Sequence, residues 1–158
     1  KMKRRLGHAG YVLSAFPYII KRPEHYLIEY ETDNIIGQTN CILGAITNSK
    51  GFGGIDLYKN VSLNDEKLEL LLVRNANPKL IASLVSDYIS NTIDLNKYKN
   101  YLIMDSSSNI RLTFKETYPK FAFDNDGEKS NEIITYGNDT VIYKPAKKIK
   151  ILKRKVQD

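Results

Sequence analysis

The chain has no tryptophan, two methionines, five prolines and one cysteine among 158 residues. A single cysteine, Cys41, excludes an internal disulfide framework and suits a reducing, cytoplasmic setting. It sits in an apolar strand pattern, which marks it as core and not as a nucleophile. No apolar run approaches the roughly 20 residues a membrane span needs, and no signal-peptide layout is present. The two histidines, His8 and His25, lack cysteine or acidic partners at metal-ligand spacing, which disfavours a zinc site. No serine lies in a Gly-x-Ser-x-Gly elbow. The strand–helix alternation of a dinucleotide-binding domain is missing as well. The eleven tyrosines are scattered and form no RNA-binding signature.

What remains is a globular composition. Apolar residues make up 42% of the chain, enough for one domain with a real core. The formal charge of +6 is unevenly placed. Four basic residues crowd positions 1–5 and seven more lie between Lys144 and Lys155, with no acid in either stretch. Without those eleven the remainder carries −5, so a mildly acidic body is flanked by basic ends. Basic ends suit nucleic-acid phosphates or anionic lipid headgroups, and equally serve as solubilising termini. The first residue is Lys1, which leads us to expect that residues upstream belong to the same protein.

Periodicity predicts the elements. Leu6, Ala9, Leu13 and Phe16 predict a helix over 3–16, ended by Pro17. Alternation over Tyr26–Glu31 predicts a strand, and the turn Asp33-Asn34 leads into a second over Ile35–Ile46, together a hairpin. Leu68–Val73 reads as a buried strand. Asn77 and Pro78 open a helix whose apolar stripe is Leu80, Ile81, Leu84, Val85, Tyr88 and Ile89. Further strands are predicted over 101–104, 109–114, 121–123, 132–136, 140–143 and 148–152. The turn Gly137-Asn138-Asp139 is expected to join the two flanking strands as a hairpin. So many short strands with few helices predict a mainly β protein, an antiparallel β-sandwich with one or two appended helices.

Three polar stretches interrupt this pattern. Asp126-Gly127-Glu128 is a tight turn after the strand at 121–123. With Asp124 it crowds carboxylates, which raises at least one proton affinity and suits a base or a metal ligand. Gly51-Phe52-Gly53-Gly54, after Ala45-Ile46-Thr47-Asn48, permits close backbone approach and exposes N–H groups to an anion. Ser62-Leu63-Asn64-Asp65-Glu66-Lys67 precedes the buried strand. Each stretch alone also reads as an ordinary solvated turn.

In this order the three stretches resemble the C-terminal domain of bacterial diacylglycerol kinases and related lipid kinases, over nearly the whole chain. The resemblance implies the β-sandwich half of the NAD kinase/diacylglycerol kinase-like fold, with 1–158 as one domain. It implies transfer of the γ-phosphate of ATP to a lipid hydroxyl, that of diacylglycerol above all, with Glu128 as proton acceptor and Asp126 beside phosphate or metal. In the third stretch it implies a Mg²⁺ site formed by the Asp65 carboxylate and main-chain oxygens of Ser62 and Lys67. Two departures stand out. The family's glycine is Glu66 here, which is expected to resist positive φ and alter the turn, and Asp56–Asn60 lacks the family's proline. ATP in this family binds largely through an N-terminal α/β domain with a Gly-Gly-Asp-Gly-Thr loop. That loop is absent here, so the 158 residues alone are expected to be inactive.

The partners implied are a lipid substrate, the missing kinase domain and, at the periphery, the inner face of a membrane. Tyr11, Val12, Leu13, Phe16, Tyr18 and Ile19, with Lys3, Arg4, Arg5, Lys21 and Arg22, would form the interfacial patch. Packing of that helix on its own sandwich or on the missing domain is the somewhat more favoured reading, and homodimerisation is left open. The competing functions are a non-catalytic sandwich binding nucleic acid or anionic membrane, and a kinase of a soluble substrate such as a nicotinamide nucleotide. Nucleic acid is the less favoured partner.

Overall fold

The computed structural model describes residues 26–52, 55–59, 61–62, 64–115, 121–123, 133–135 and 138–145. Twelve elements lie within these ranges. They are β1 (Tyr26–Thr32), β2 (Ile36–Thr47), β3 (Gly51–Phe52), β4 (Ile55–Asp56) and β5 (Leu68–Arg74). Then come α1 (Pro78–Ile89), α2 (Leu95–Tyr98), β6 (Leu102–Ser107), β7 (Ile110–Phe114), β8 (Phe121–Phe123), β9 (Ile133–Thr135) and β10 (Thr140–Tyr143). The expected helix over 3–16 and the expected strand over 148–152 lie outside the described residues.

Six strands form one antiparallel sheet in the order β10-β7-β1-β2-β5-β6. The connection from β6 to β7 dictates its shape. Only Ser108 and Asn109 separate these strands, yet three others lie between them in the sheet. A flat sheet cannot be spanned by two residues, so it folds back and brings the end of β6 over the β1–β2 turn. Hydrogen bonds at that corner confirm the closure. Thr32 Oγ1 donates to Asp105 Oδ2 at 2.5 Å and Asn34 Nδ2 donates to Asp105 Oδ1 at 3.1 Å. Asp33 accepts from Ser107 Oγ at 2.8 Å and from the Ser108 amide at 2.8 Å. The antiparallel sandwich-like architecture predicted from strand number is thus present.

Between the folded halves lies the main core of Ile28, Tyr30, Cys41, Leu70, Leu72, Ile103, Ile110, Leu112 and Phe114. Cys41 is buried, as its surroundings in the sequence indicated, and burial pushes its thiol up to about 11. Strand alternation sends Leu71 and Val73 to the opposite face of β5. There they meet Leu57, Leu84, Tyr88, Leu95, Leu102 and Met104 in a second cluster under the helices. Helix α1 is capped by Asn77, whose Oδ1 accepts the Leu80 amide at 2.9 Å, with Pro78 inside the first turn.

Tertiary pairing corrects one expectation. The strands on either side of Asn138 do not form a hairpin with each other, because β9 pairs with β8 while β10 pairs with β7. The turn is real, since Asn138 adopts φ 68. Its amide donates to Phe114 O at 2.5 Å, which hands the chain to the free edge of β7. Helix α2, absent from the sequence reading, is a single turn. Tyr98 holds it, fully buried, with its hydroxyl donating to Asp87 Oδ2 at 2.6 Å on α1.

Candidate functional site

The Ser62–Lys67 loop enters β5, and its conformation is set by Asp65. The Asp65 carboxylate accepts main-chain N–H groups from both flanks, Lys67 at 3.1 Å and Ser62 at 3.3 Å. The Asp65 amide in turn donates to Ser62 O at 3.2 Å. One side chain thus draws the loop around itself, with lone pairs still free on the carboxylate and on the Ser62 carbonyl. The expectation that Glu66 would resist left-handed geometry is overturned, because Glu66 adopts φ 60. The two turn-closing bonds to Asp65 offset the steric cost of a side chain there, on the order of 1–2 kcal/mol. The loop keeps the backbone path that a glycine at this position allows.

The end of β2 lies beside this loop. Thr47 pairs with Glu69, and Glu69 pairs with Ser106, so these three residues form one polar rung across β2, β5 and β6. Thr47 Oγ1 and Ser49 Oγ lie 2.8 Å apart, and Ser49 Oγ donates to Gly51 O at 2.6 Å, folding the chain into the β3–β4 turn. After that turn Tyr58 reaches back, and its hydroxyl donates to Leu70 O at 2.6 Å. Burial drives the Tyr58 phenol well above the usual tyrosine range, reinforced by the charges of Glu69 and Asp105. An open depression of about 540 Å³ lies alongside, lined by Lys50, Leu57, Tyr58, Lys59, Ile93 and Asn96 among others.

Glu69 is the residue sequence reasoning missed. It was absorbed into the apolar run Leu68–Val73, yet an acid inside such a run is itself a signal, since a buried carboxylate is costly without partners. It is fully buried. Burial raises its proton affinity, Ser106 partly offsets this by hydrogen bonding, and the Asp65 charge adds to the rise.

Of the residues expected to carry chemistry, Ser62, Asp65 and Lys67 come together in one loop. Asp126 and Glu128 lie outside the described residues. No three His, Cys, Asp or Glu side chains converge among the described residues. A cation at the Asp65 loop would therefore be held by one carboxylate and main-chain oxygens and would keep several waters, the ligand set Mg²⁺ accepts. The unsatisfied Glu69 oxygen nearby fits such an ion. Among the described residues no helix is long and apolar enough to cross a membrane.

No family model matches the sequence, and no curated protein matches it. Solved structures do match. A candidate diacylglycerol kinase from Bacillus anthracis str. Sterne aligns with 25% identity and a TM-score of 0.58, covering 89% of this chain and 48% of that one. A second candidate diacylglycerol kinase of the same strain aligns at 20% identity and TM-score 0.59, covering 90% of this chain and 44% of that one. A third structure, of a diacylglycerol kinase from that strain, aligns at 20% identity and TM-score 0.53 over 82% of this chain and 47% of that one. The chain spans about half the length of these proteins. Through nearly all its length it has the fold of one half of the diacylglycerol kinases, as its three polar stretches indicated.

Proposed function

We propose that this chain is the C-terminal domain of an ATP-dependent lipid kinase that phosphorylates a lipid hydroxyl, diacylglycerol being the first candidate. The observation that carries the reading is the Asp65 loop. It keeps a left-handed turn at Glu66 and an inward carboxylate, on a fold that matches kinase structures over 89% of the chain. Phosphoryl transfer depends chiefly on positioning and on neutralising phosphate charge. A divalent cation held by Asp65 and the carbonyls of Ser62 and Lys67 would supply neutralising charge. Glu128 takes the proton from the attacking hydroxyl in this reading, with Asp126 beside the phosphate. Nucleotide binding falls to a domain carrying the glycine loop that these residues lack, so the 158 residues alone do not turn over.

The test follows radiolabelled γ-phosphate from ATP into diacylglycerol in mixed micelles, using the protein with its nucleotide-binding domain. Mg²⁺-dependent phosphatidic acid that disappears in Glu128→Gln supports the assignment of reaction and base. Absence of transfer from well-folded protein removes diacylglycerol as the substrate. Transfer unchanged in Glu128→Gln keeps the kinase and discards Glu128 as base.

A further inference from the structure

Two residues beyond the Asp65 loop, at the start of β5, one buried carboxylate has an oxygen with no partner. Glu69 is 0% exposed, and its Oε1 accepts from Ser106 Oγ at a long 3.3 Å. Its Oε2 has no hydrogen-bond partner at all. A buried acceptor left unsatisfied costs about 1–3 kcal/mol and more when charged. An apolar residue here would extend the Leu71–Val73 face without that cost. Asp65 lies near enough for the two carboxylates to repel, which adds to it. The main-chain N–H groups of Ser49 and of Glu69 itself face the carboxylate and favour its charged form, yet neither reaches hydrogen-bond geometry at Oε2, and the flanking side chains do not relieve it. Thr47 is engaged with Ser49, Ser106 reaches only Oε1, and the hydroxyl of Tyr58 is spent on Leu70 O. Among the described residues every salt bridge lies elsewhere, so no protein cation neutralises the pair.

We propose that Glu69 is a positioning residue for a divalent cation, its free Oε2 accepting a hydrogen bond from a water that the ion retains at the Asp65 loop. This rests on the reading of that loop as a cation site. An ion held by one carboxylate and two carbonyls keeps several waters. Those waters need acceptors, and acceptors of this kind tune metal affinity as strongly as many direct ligands. The ion's charge also removes the repulsion between Asp65 and Glu69. The arrangement explains why an acid is placed on a strand face that is otherwise apolar.

The experiment titrates Mg²⁺ and Mn²⁺ into the 158-residue chain by calorimetry and thermal shift, comparing Glu69→Gln and Asp65→Asn. Wild type is expected to bind and to gain thermal stability. Glu69→Gln, equal in shape, should weaken affinity about 10–100-fold, and Asp65→Asn should abolish binding. In wild type the side-chain carboxyl ¹³C resonance of Glu69, assigned through its own backbone, should move with Mg²⁺ at the same dissociation constant. This needs no variant to fold. No binding of either ion by wild type overturns the cation reading itself. Binding by wild type with affinity retained within about twofold in Glu69→Gln, or with a stationary Glu69 carboxyl resonance, overturns only the role given to Glu69.

Discussion

The corner that folds the sheet back on itself concentrates its bonds on one small side chain, and Ser107→Ala isolates them. Ser107 is 1% exposed. Its Oγ accepts the Asp33 amide at 3.0 Å and the Asn109 amide at 3.2 Å. It donates its single proton toward Asp33 Oδ2 or Asn109 O, each at 2.8 Å. Alanine fits the same space, so no packing is lost, and the cost is that of the polar groups alone. A net bond contributes about 1 kcal/mol and a stranded buried donor costs about 1–3 kcal/mol. The Asp33 side of the corner is open to water, which reduces that penalty. Together these predict a loss of about 2–3 kcal/mol, or roughly 5–10 °C in Tm for a domain of this size. Urea unfolding should show the midpoint falling with the slope unchanged, since the surface exposed on unfolding is the same. Ser108→Ala is the control, because Ser108 is exposed although its Oγ also donates to Asp33 at 2.7 Å. A loss below about 0.5 kcal/mol in Ser107→Ala, or an equal loss in the control, would refute the corner as the closure of the sheet.

Three further outcomes follow from the same structure. Hydrogen bonds from Ser108 and Ser107 hold the Asp33 carboxyl below its ordinary value of 3.8, so its contribution is complete above that value and is lost as pH falls through the depressed one. The stability gap between wild type and Asp33→Asn, followed by chemical denaturation, should be steady near neutrality and close in acid; a gap that widens in acid contradicts the assignment. A Cβ at Gly37 would run into the Tyr30 hydroxyl and lie 2.7 Å from its Cζ. Gly37→Ala should therefore cost about 1–3 kcal/mol, and in a Tyr30→Leu background the same change should become neutral or mildly stabilising. Tyr98→Phe should cost about 1 kcal/mol and speed amide exchange in α2 ahead of α1, because the lost hydroxyl ties α2 to Asp87 and Ser83; unchanged exchange would mean that packing alone holds α2.

The sequence alone determined several features whose cause is local, although the single turn of α2, capped by Asp94, escaped it. The turn at Asp33-Asn34, the Asn77-Pro78 helix start and the alternation along the strands each rest on neighbouring residues, and each stands where expected. The Asp65 loop is held by equally local bonds, since its carboxylate accepts from residues two and three positions away. Glu66 marks the limit of such reasoning. Intrinsic preference opposed a left-handed turn, and the bonds closing on Asp65 overrode it. Only the tertiary structure decided that β10 joins β7 and not β9, because an open strand edge competes with the nearer partner across a turn. The fold-back of the sheet was equally out of reach. It depends on Asp105 and Ser107 meeting residues more than seventy positions earlier in the chain. Glu69 shows the same division. Its presence in an apolar strand was readable from the letters. That it lies buried with one oxygen unsatisfied was decided by the strands on either side of it.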